Sequence, residues 1–291
     1  MALGGFLCPF CNYYNANDAT VCSRCEKRLP PPGLAGLLRS VLSVDLWATK
    51  LLAGVSVVVF ALQLASAGGK VGVGLSGMPI STLLRFGAMS NFLDAEEPYR
   101  LLAACFVHMG VLHVAMNMLA LANLGRLIEP EIKGPRLLIA YVLTGLAGFA
   151  ASLWWYGDKP YITAGASGAI FGLEGLIIGS FVAKRDRRWK AMATQMIVSS
   201  LLLALAFPVN NSAHAGGFLA GLALGAFTEK ESRPWKIAPL VNGVALACVV
   251  AIAAALILPQ RSPKWRTALA VQEERERRAQ EIMREEQVIE P

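Results

Sequence analysis

Residues 106–128 read FVHMGVLHVAMNMLALANLGRLI. This run holds a single formal charge, Arg126, close to its end. About twenty mostly apolar residues suffice to cross a bilayer, so the stretch reads as a transmembrane helix. It also carries His108, His113, Asn117 and Asn123. Polar groups inside a span are costly, and function is the default reason for keeping them. His113 and Asn117 stand four residues apart and therefore share a helix face.

The rest of the chain has the same character. Its 291 residues are 55% hydrophobic and 16% charged, with a mean hydropathy of +0.50. A soluble protein of this length carries more charge, so the class is an all-α polytopic membrane protein. Seven candidate spans can be read: Leu46–Ala65, Phe106–Ile128, Pro135–Tyr156, Ser167–Ala183, Ala191–Phe207, Ala213–Phe227 and Ile237–Leu258. Several are short, which points to a protein-surrounded interior or a thinned bilayer. Residues 68–100 are Gly-rich, broken by Pro79, and too interrupted to span. They read as a long ordered loop, partly inserted at the interface.

A net charge of +7 would suit nucleic acid, but in a polytopic chain it reports basic cytoplasmic loops, and no nucleic-acid partner is expected. Arg126, Lys133 and Arg136 follow the second span, Lys184 to Lys190 the fourth, and Lys230, Arg233 and Lys236 the sixth. The alternate loops are poorer in Lys and Arg. The N-terminus is therefore expected in the cytoplasm and, after seven spans, the C-terminus outside. The tail, residues 259–291, mixes both signs at helical spacing over Glu273–Glu286 and reads as an exposed charged helix. The chain opens without the apolar core and cleavage site of a signal peptide.

Residues 1–29 form a separate polar module, followed over 30–45 by a Pro-rich linker and an interfacial segment. Four of the six cysteines lie in this module, as Cys8-x2-Cys11 and Cys22-x2-Cys25. Two such turns can present four thiolates to one tetrahedral ion, whose binding folds a unit too small for a core. Two disulfides are the alternative, but a cytosolic location favours structural zinc. The module resembles the zinc-ribbon heads of many bacterial membrane proteins. Partner docking in the cytosol, regulation and folding are all open roles for it. Cys105 and Cys248 lie in apolar runs and read as small buried hydrophobes.

The fourth span opens with Gly165-Ala-Ser167-Gly168 and the sixth with Ala213-His214-Ala-Gly216-Gly217. By the orientation above, the second, fourth and sixth spans all enter from outside. His113, Asn117, Ser167 and His214 then converge at one depth below the outer surface. A serine needs an adjacent base, and His214 can take its proton. No Asp or Glu lies in the outermost turns of these spans, at the depth of Ser167 and His214, so the pair is read as a dyad. The Asn117 amide, a His113 ring N–H and the Ser167 backbone N–H are donors for an oxyanion. Gly217, Gly221 and Gly225 on one span, and Gly168, Gly172, Gly175 and Gly179 on the other, let backbones approach closely.

On these residues the chain resembles the rhomboid intramembrane serine proteases from about Leu46 to Leu258. The matching pieces are Tyr99-Arg100, His108, His113-x3-Asn117, Gly125-x3-Glu129, Gly165-x-Ser167-Gly168 and Ala213-His214-x-Gly216-Gly217. The resemblance implies a six-helix core, here with one added C-terminal helix. It implies Ser167 and His214 as catalytic dyad, His113, Asn117 and Ser167 around the oxyanion hole, and His108 as a structural histidine. It also implies transmembrane proteins as substrates, the bilayer as surroundings, no cofactor for catalysis, and a bacterial inner membrane as location. Glu174 departs from the pattern, which has an apolar residue there; a protonated, hydrogen-bonded carboxyl is expected. Rival readings are a silent rhomboid-like protein that binds membrane proteins, which would be expected to lack the Ser or His, and a transporter, which would favour internal repeats. A zinc metalloprotease fails for want of H-E-x-x-H.

Overall fold

A computed structural model describes residues 5–7, 14–16, 19–26, 29, 46–68, 77–91, 93, 96–206, 209–228, 238–271, 273–274 and 277–278. The elements are β1 (Gly5–Leu7), β2 (Tyr14–Ala16), α1 (Trp47–Ser66), α2 (Ile80–Phe86), β3 (Met89–Ser90), α3 (Arg100–Ala103), α4 (Val111–Ile132), α5 (Gly134–Tyr156), β4 (Ile162–Thr163), α6 (Ser167–Ala183), α7 (Arg188–Ala206), α8 (Asn211–Thr228) and α9 (Ala238–Arg261). Each expected span coincides with one of α1 and α4–α9. Four of these, α1, α4, α5 and Pro239–Arg261 of α9, are long and apolar enough to cross a membrane, and α6 is apolar but shorter.

The short helix α6 is central. Ten of its residues are buried, on every side, as expected for a helix apolar all round. Its closest partner is α8, and α5 packs against both. The glycines explain the contact. A Cβ on Gly217, Gly221 or Gly225 would collide with the carbonyls of Gly168, Gly172 and Leu176, and one on Gly175 or Gly179 with those of Phe218 and Leu222. Two backbones thus lie in direct contact, a packing that lipid cannot replace.

A second device joins α1 to α4. The Glu129 carboxylate accepts the N–H groups of Ala48 and Thr49 at 2.8 and 2.9 Å and the Thr49 hydroxyl at 2.6 Å. It caps the N-terminus of α1, whose first N–H groups have no helical partner. Gly125, one turn earlier, leaves room for the Thr49 side chain. This is the physical content of the Gly125-x3-Glu129 pattern.

The loop between α1 and α4 is organised on Arg100, which is fully buried. Its Nε donates to Glu97 at 2.6 Å, and its Nη1 donates to the carbonyls of Leu84 and Ala88 at 2.7 and 3.1 Å. β3 then pairs antiparallel with β4, Met89 opposite Thr163 and Ser90 opposite Ile162. The loop is thereby sewn to the segment that leads into α6.

Three findings depart from the sequence reading. His108 was expected inside the second span, yet α4 begins only at Val111. The Gln63 side chain, buried on α1, binds both the N–H and the C=O of His108 at 3.2 Å, so this backbone needs no helical bonds. The last span continues to Arg261, three residues further than expected. Beyond it the chain turns back and is helical over 264–271. There Ala268 is buried with Leu84 and Leu93, and Trp265 and Leu269 pack around them. Ser262 donates to Glu97, and Lys264 pairs with Glu96. Part of the tail is thus docked on the loop of Arg100. Of the Glu273–Glu286 stretch, residues 273–274 and 277–278 are described and helical, and Glu274 pairs with Arg277 and Arg278.

In the N-terminal module β1 and β2 form an antiparallel hairpin, Gly5 opposite Ala16 and Leu7 opposite Tyr14. Cys8 and Cys11 fall between these strands, outside the described residues, as does the linker over 30–45.

Candidate active site

Ser167 is the first residue of α6. Its backbone N–H is therefore among those a helix leaves without an internal partner, at the positive end of the dipole. Two bonds fix the approach to it. Gly165 donates its N–H to the Ala104 carbonyl at 2.8 Å, and β4 is held by β3. Gly165 has φ +137, a conformation that disfavours side chains, and a Cβ there would meet the His113 ring at 2.7 Å. The glycine thus lets the His113 ring stand against the turn that presents Ser167.

His214 is buried in the first turn of α8. Its Nε2 lies 2.8 Å from Ser167 Oγ. Its ring stacks on Phe171, with centroids 4.2 Å apart and planes at 12°. Phe171 lies one turn below Ser167 on the same face of α6. Among the described residues no carboxylate bonds to His214. An aromatic face orients the imidazole where a triad would use an acid.

The α8 N-terminus is itself anchored. Asn210 Oδ1 accepts from the Ala213 N–H at 3.0 Å and from Ser212 Oγ at 2.7 Å, in the manner of an N-cap. Its Nδ2 donates to Thr163 Oγ1 at 3.0 Å. One side chain thus ties the helix of His214 to the segment of Ser167.

His113 and Asn117 approach from α4. Met109 donates its N–H to His113 Nδ1 at 3.4 Å, so in the neutral ring Nε2 carries the proton and points toward Gly165. Asn117 is buried and spends one amide hydrogen on the His113 carbonyl at 2.9 Å, keeping the other. His108 stands edge-on to His113, with centroids 5.3 Å apart. Its Nδ1 bonds the Phe106 carbonyl at 3.2 Å, and its Nε2 is buried without a partner.

Ser167 and His214 thus meet directly, and His113 borders the turn of Ser167 from α4. Glu174 lies two turns below Ser167, half-buried, and its Oε2 is buried without the hydrogen bond expected of it. Cys105 is fully buried as expected, and Cys248 is half-buried on α9. Sequence reasoning missed Phe171 and Asn210. The first sits four residues after the serine, and the second is a polar residue just ahead of an apolar run. Both positions are visible once the helix starts are known.

Comparison with known proteins bears on the same region. Residues 95–231 match the model of the rhomboid domain. The matched stretch contains His108, His113, Asn117, Ser167 and His214. The chain is 36% identical to RHOMBOID-like protein 5 of Arabidopsis thaliana over 153 residues, half of each chain. It is 37% identical over 145 residues to Rhomboid protease GluP of Bacillus subtilis, covering 48% of this chain and 28% of that protein. Rhomboid-type serine protease 2 of Emericella nidulans is 28% identical over 141 residues, covering 47% and 28%. The chain spans half or less of the length of these relatives. With this match and several apolar helices, it is an integral membrane protein.

In the N-terminal module Cys22 is buried. Its Sγ accepts from the Arg24 N–H at 3.4 Å and lies 3.6 Å from the Asn15 amide. Two N–H donors are thus aimed at one sulfur. Among the described residues no group of three or more His, Cys, Asp or Glu could hold a metal ion; two of the four candidate ligands lie outside them.

Proposed function

We propose that this chain is an intramembrane serine endopeptidase that hydrolyses peptide bonds in or near the transmembrane segments of other membrane proteins. The observation that carries the reading is the 2.8 Å approach of His214 Nε2 to Ser167 Oγ, at a helix N-terminus flanked by unspent N–H donors. Ser167 attacks the scissile carbonyl while His214 takes the hydroxyl proton, and later returns it to the leaving amine. The negative oxygen of the tetrahedral intermediate is met by His113 Nε2–H, the free Asn117 amide hydrogen and the Ser167 N–H. Water then cleaves the acyl-enzyme by the same route in reverse. The chemistry uses no metal or cofactor.

The bundle is read as the six-helix rhomboid core, α1 and α4–α8, with α9 added. The protein belongs in a bacterial inner membrane, N-terminus in the cytoplasm and C-terminus outside. The docking of 264–271 near β4 supports a C-terminus on the side of Ser167. A serine-directed fluorophosphonate tests the site: it should label the wild-type protein and not Ser167→Ala. Equal labelling of both would remove Ser167 from the mechanism, and labelling of neither would favour a silent, rhomboid-like binding protein.

We read the N-terminal module as a zinc ribbon held by Cys8, Cys11, Cys22 and Cys25. The Cys22 environment supports this. Purified protein should contain about one zinc, lost when Cys8 and Cys11 are both changed to Ser. Disulfides between these cysteines in freshly isolated protein would overturn the reading.

A further inference from the structure

Helices α1 and α9 both line an open groove of about 890 Å³. Val58 and Leu62 of α1, Leu256 and Ile257 of α9, and Phe86 of α2 line its upper half. At the end nearest the first loop its character changes. Arg85 closes α2, Arg261 closes α9, and both also line an adjoining pocket of about 360 Å³ that Arg266 and Trp265 complete.

Three guanidinium groups therefore share one small space. Among the described residues none of them pairs with a carboxylate. Arg85 donates to Ser66 Oγ at 3.1 Å, Arg266 stands 5.4 Å from the Trp265 ring centre, and Arg261 makes no ion pair. The described acids nearby are engaged elsewhere, Glu97 with Arg100 and Ser262, Glu96 with Lys264. Like charges held together repel, so the cluster calls for an anion. Guanidinium forks match phosphate oxygens in pairs.

The pocket for an anion opens onto an apolar groove. From Ser66 to Lys50 the groove follows sixteen residues of α1, about 24 Å at 1.5 Å per residue. That is most of a hydrocarbon core about 30 Å thick, long enough to seat an acyl chain entering from the arginine end. Trp265 sits at the mouth, where an indole suits the headgroup level. We propose that the groove lined by α1 and α9, with Arg85, Arg261 and Arg266 at its mouth, is a binding site for an anionic phospholipid. The phosphate lies among the guanidiniums, and the acyl chains follow Val58, Leu62 and Leu256. Arg85 belongs to the loop and Arg261 to α9, so one phosphate bridges the two and reinforces the contacts from Ser262 and Lys264.

The site is separate from Ser167 and requires only that the protein lie in a bilayer. Full-length protein is purified, and phosphatidylglycerol and phosphatidylcholine of identical chains are compared by native mass spectrometry. Phosphatidylglycerol should be retained in preference. Each basic contact near an anionic lipid is worth about fivefold, so the triple variant R85Q/R261Q/R266Q should weaken its binding on the order of a hundredfold. Val58→Trp, which fills the groove and leaves the arginines intact, should also weaken it. Ser167→Ala should bind as wild type does. Equal retention of the two lipids, or unchanged binding in the triple variant, would overturn the proposal. Glycerol phosphate competing as well as the whole lipid, with Val58→Trp silent, would reduce the site to a simple anion pocket. A dimer lost in Val58→Trp would assign the groove to a second copy instead.

Discussion

Ser167, His214, Asn117 and His113 come from three helices; Ser167 and His214 bond to each other, while His113 and Asn117 are each held so that one N–H is left unspent. Asn117 gives one amide hydrogen to its own helix and keeps the other, which the proposed mechanism assigns to the oxyanion. Asn117→Ala should therefore slow cleavage on the order of a hundredfold without abolishing it, since other donors remain. This is measured as kcat on a transmembrane substrate with an unchanged melting temperature; no effect would remove Asn117 from the oxyanion hole. Three of these four residues were legible because histidine and asparagine are conspicuous within apolar runs, and the serine because glycines flank it. Phe171 was not, because a phenylalanine in a span is what lipid and core both favour; only its stack on His214 marks it. Glu174 was conspicuous, but nothing in the sequence says whether its carboxyl finds a partner, and its Oε2 has none.

Among the elements, the junctions carry the specificity of the fold. Glu129 satisfies three donors at the start of α1. Glu129→Ala strands them and should destabilise the protein by about 2–3 kcal/mol, read from thermal unfolding in detergent. A change within experimental error would mean that water caps α1 equally well. The first loop offers a pH test. Burial pushes the Glu97 carboxyl up, but hydrogen bonds from Ser262, Tyr99 and Arg100 and the guanidinium charge outweigh this and hold it below the usual carboxylate range. A carboxyl lowered in the folded state adds stability above its unfolded pKa, about 4.3, and loses it as pH falls through the folded value. Wild type should thus exceed Glu97→Gln in stability at pH 7, and the gap should close below about pH 4. A gap independent of pH would contradict the ionised pair. The seven helices were legible from hydropathy to within a few residues. Where α4 begins was not, because Gln63, 45 residues away, supplies the bonds that hold His108 out of the helix. The docked tail was equally hidden, since Ser262 and Glu97 lie 165 residues apart.

For the molecule as a whole, Ser167 and His214 lie at the starts of α6 and α8, on the side where the first loop and the docked tail gather. A substrate helix arriving there hides its carbonyls in its own hydrogen bonds, so it must unwind locally before Ser167 can reach one. Helix-weakening residues near the extracytoplasmic end of the substrate span should therefore promote cutting. The most direct measurement is cleavage of a model transmembrane substrate by purified protein, with Ser167→Ala beside wild type and the cut site mapped by mass spectrometry. The account expects a single cut in the outer third of the span, sharpened by Gly or Pro and absent in a folded Ser167→Ala. Undiminished cleavage by that variant, or a cut at the cytoplasmic end, would contradict it.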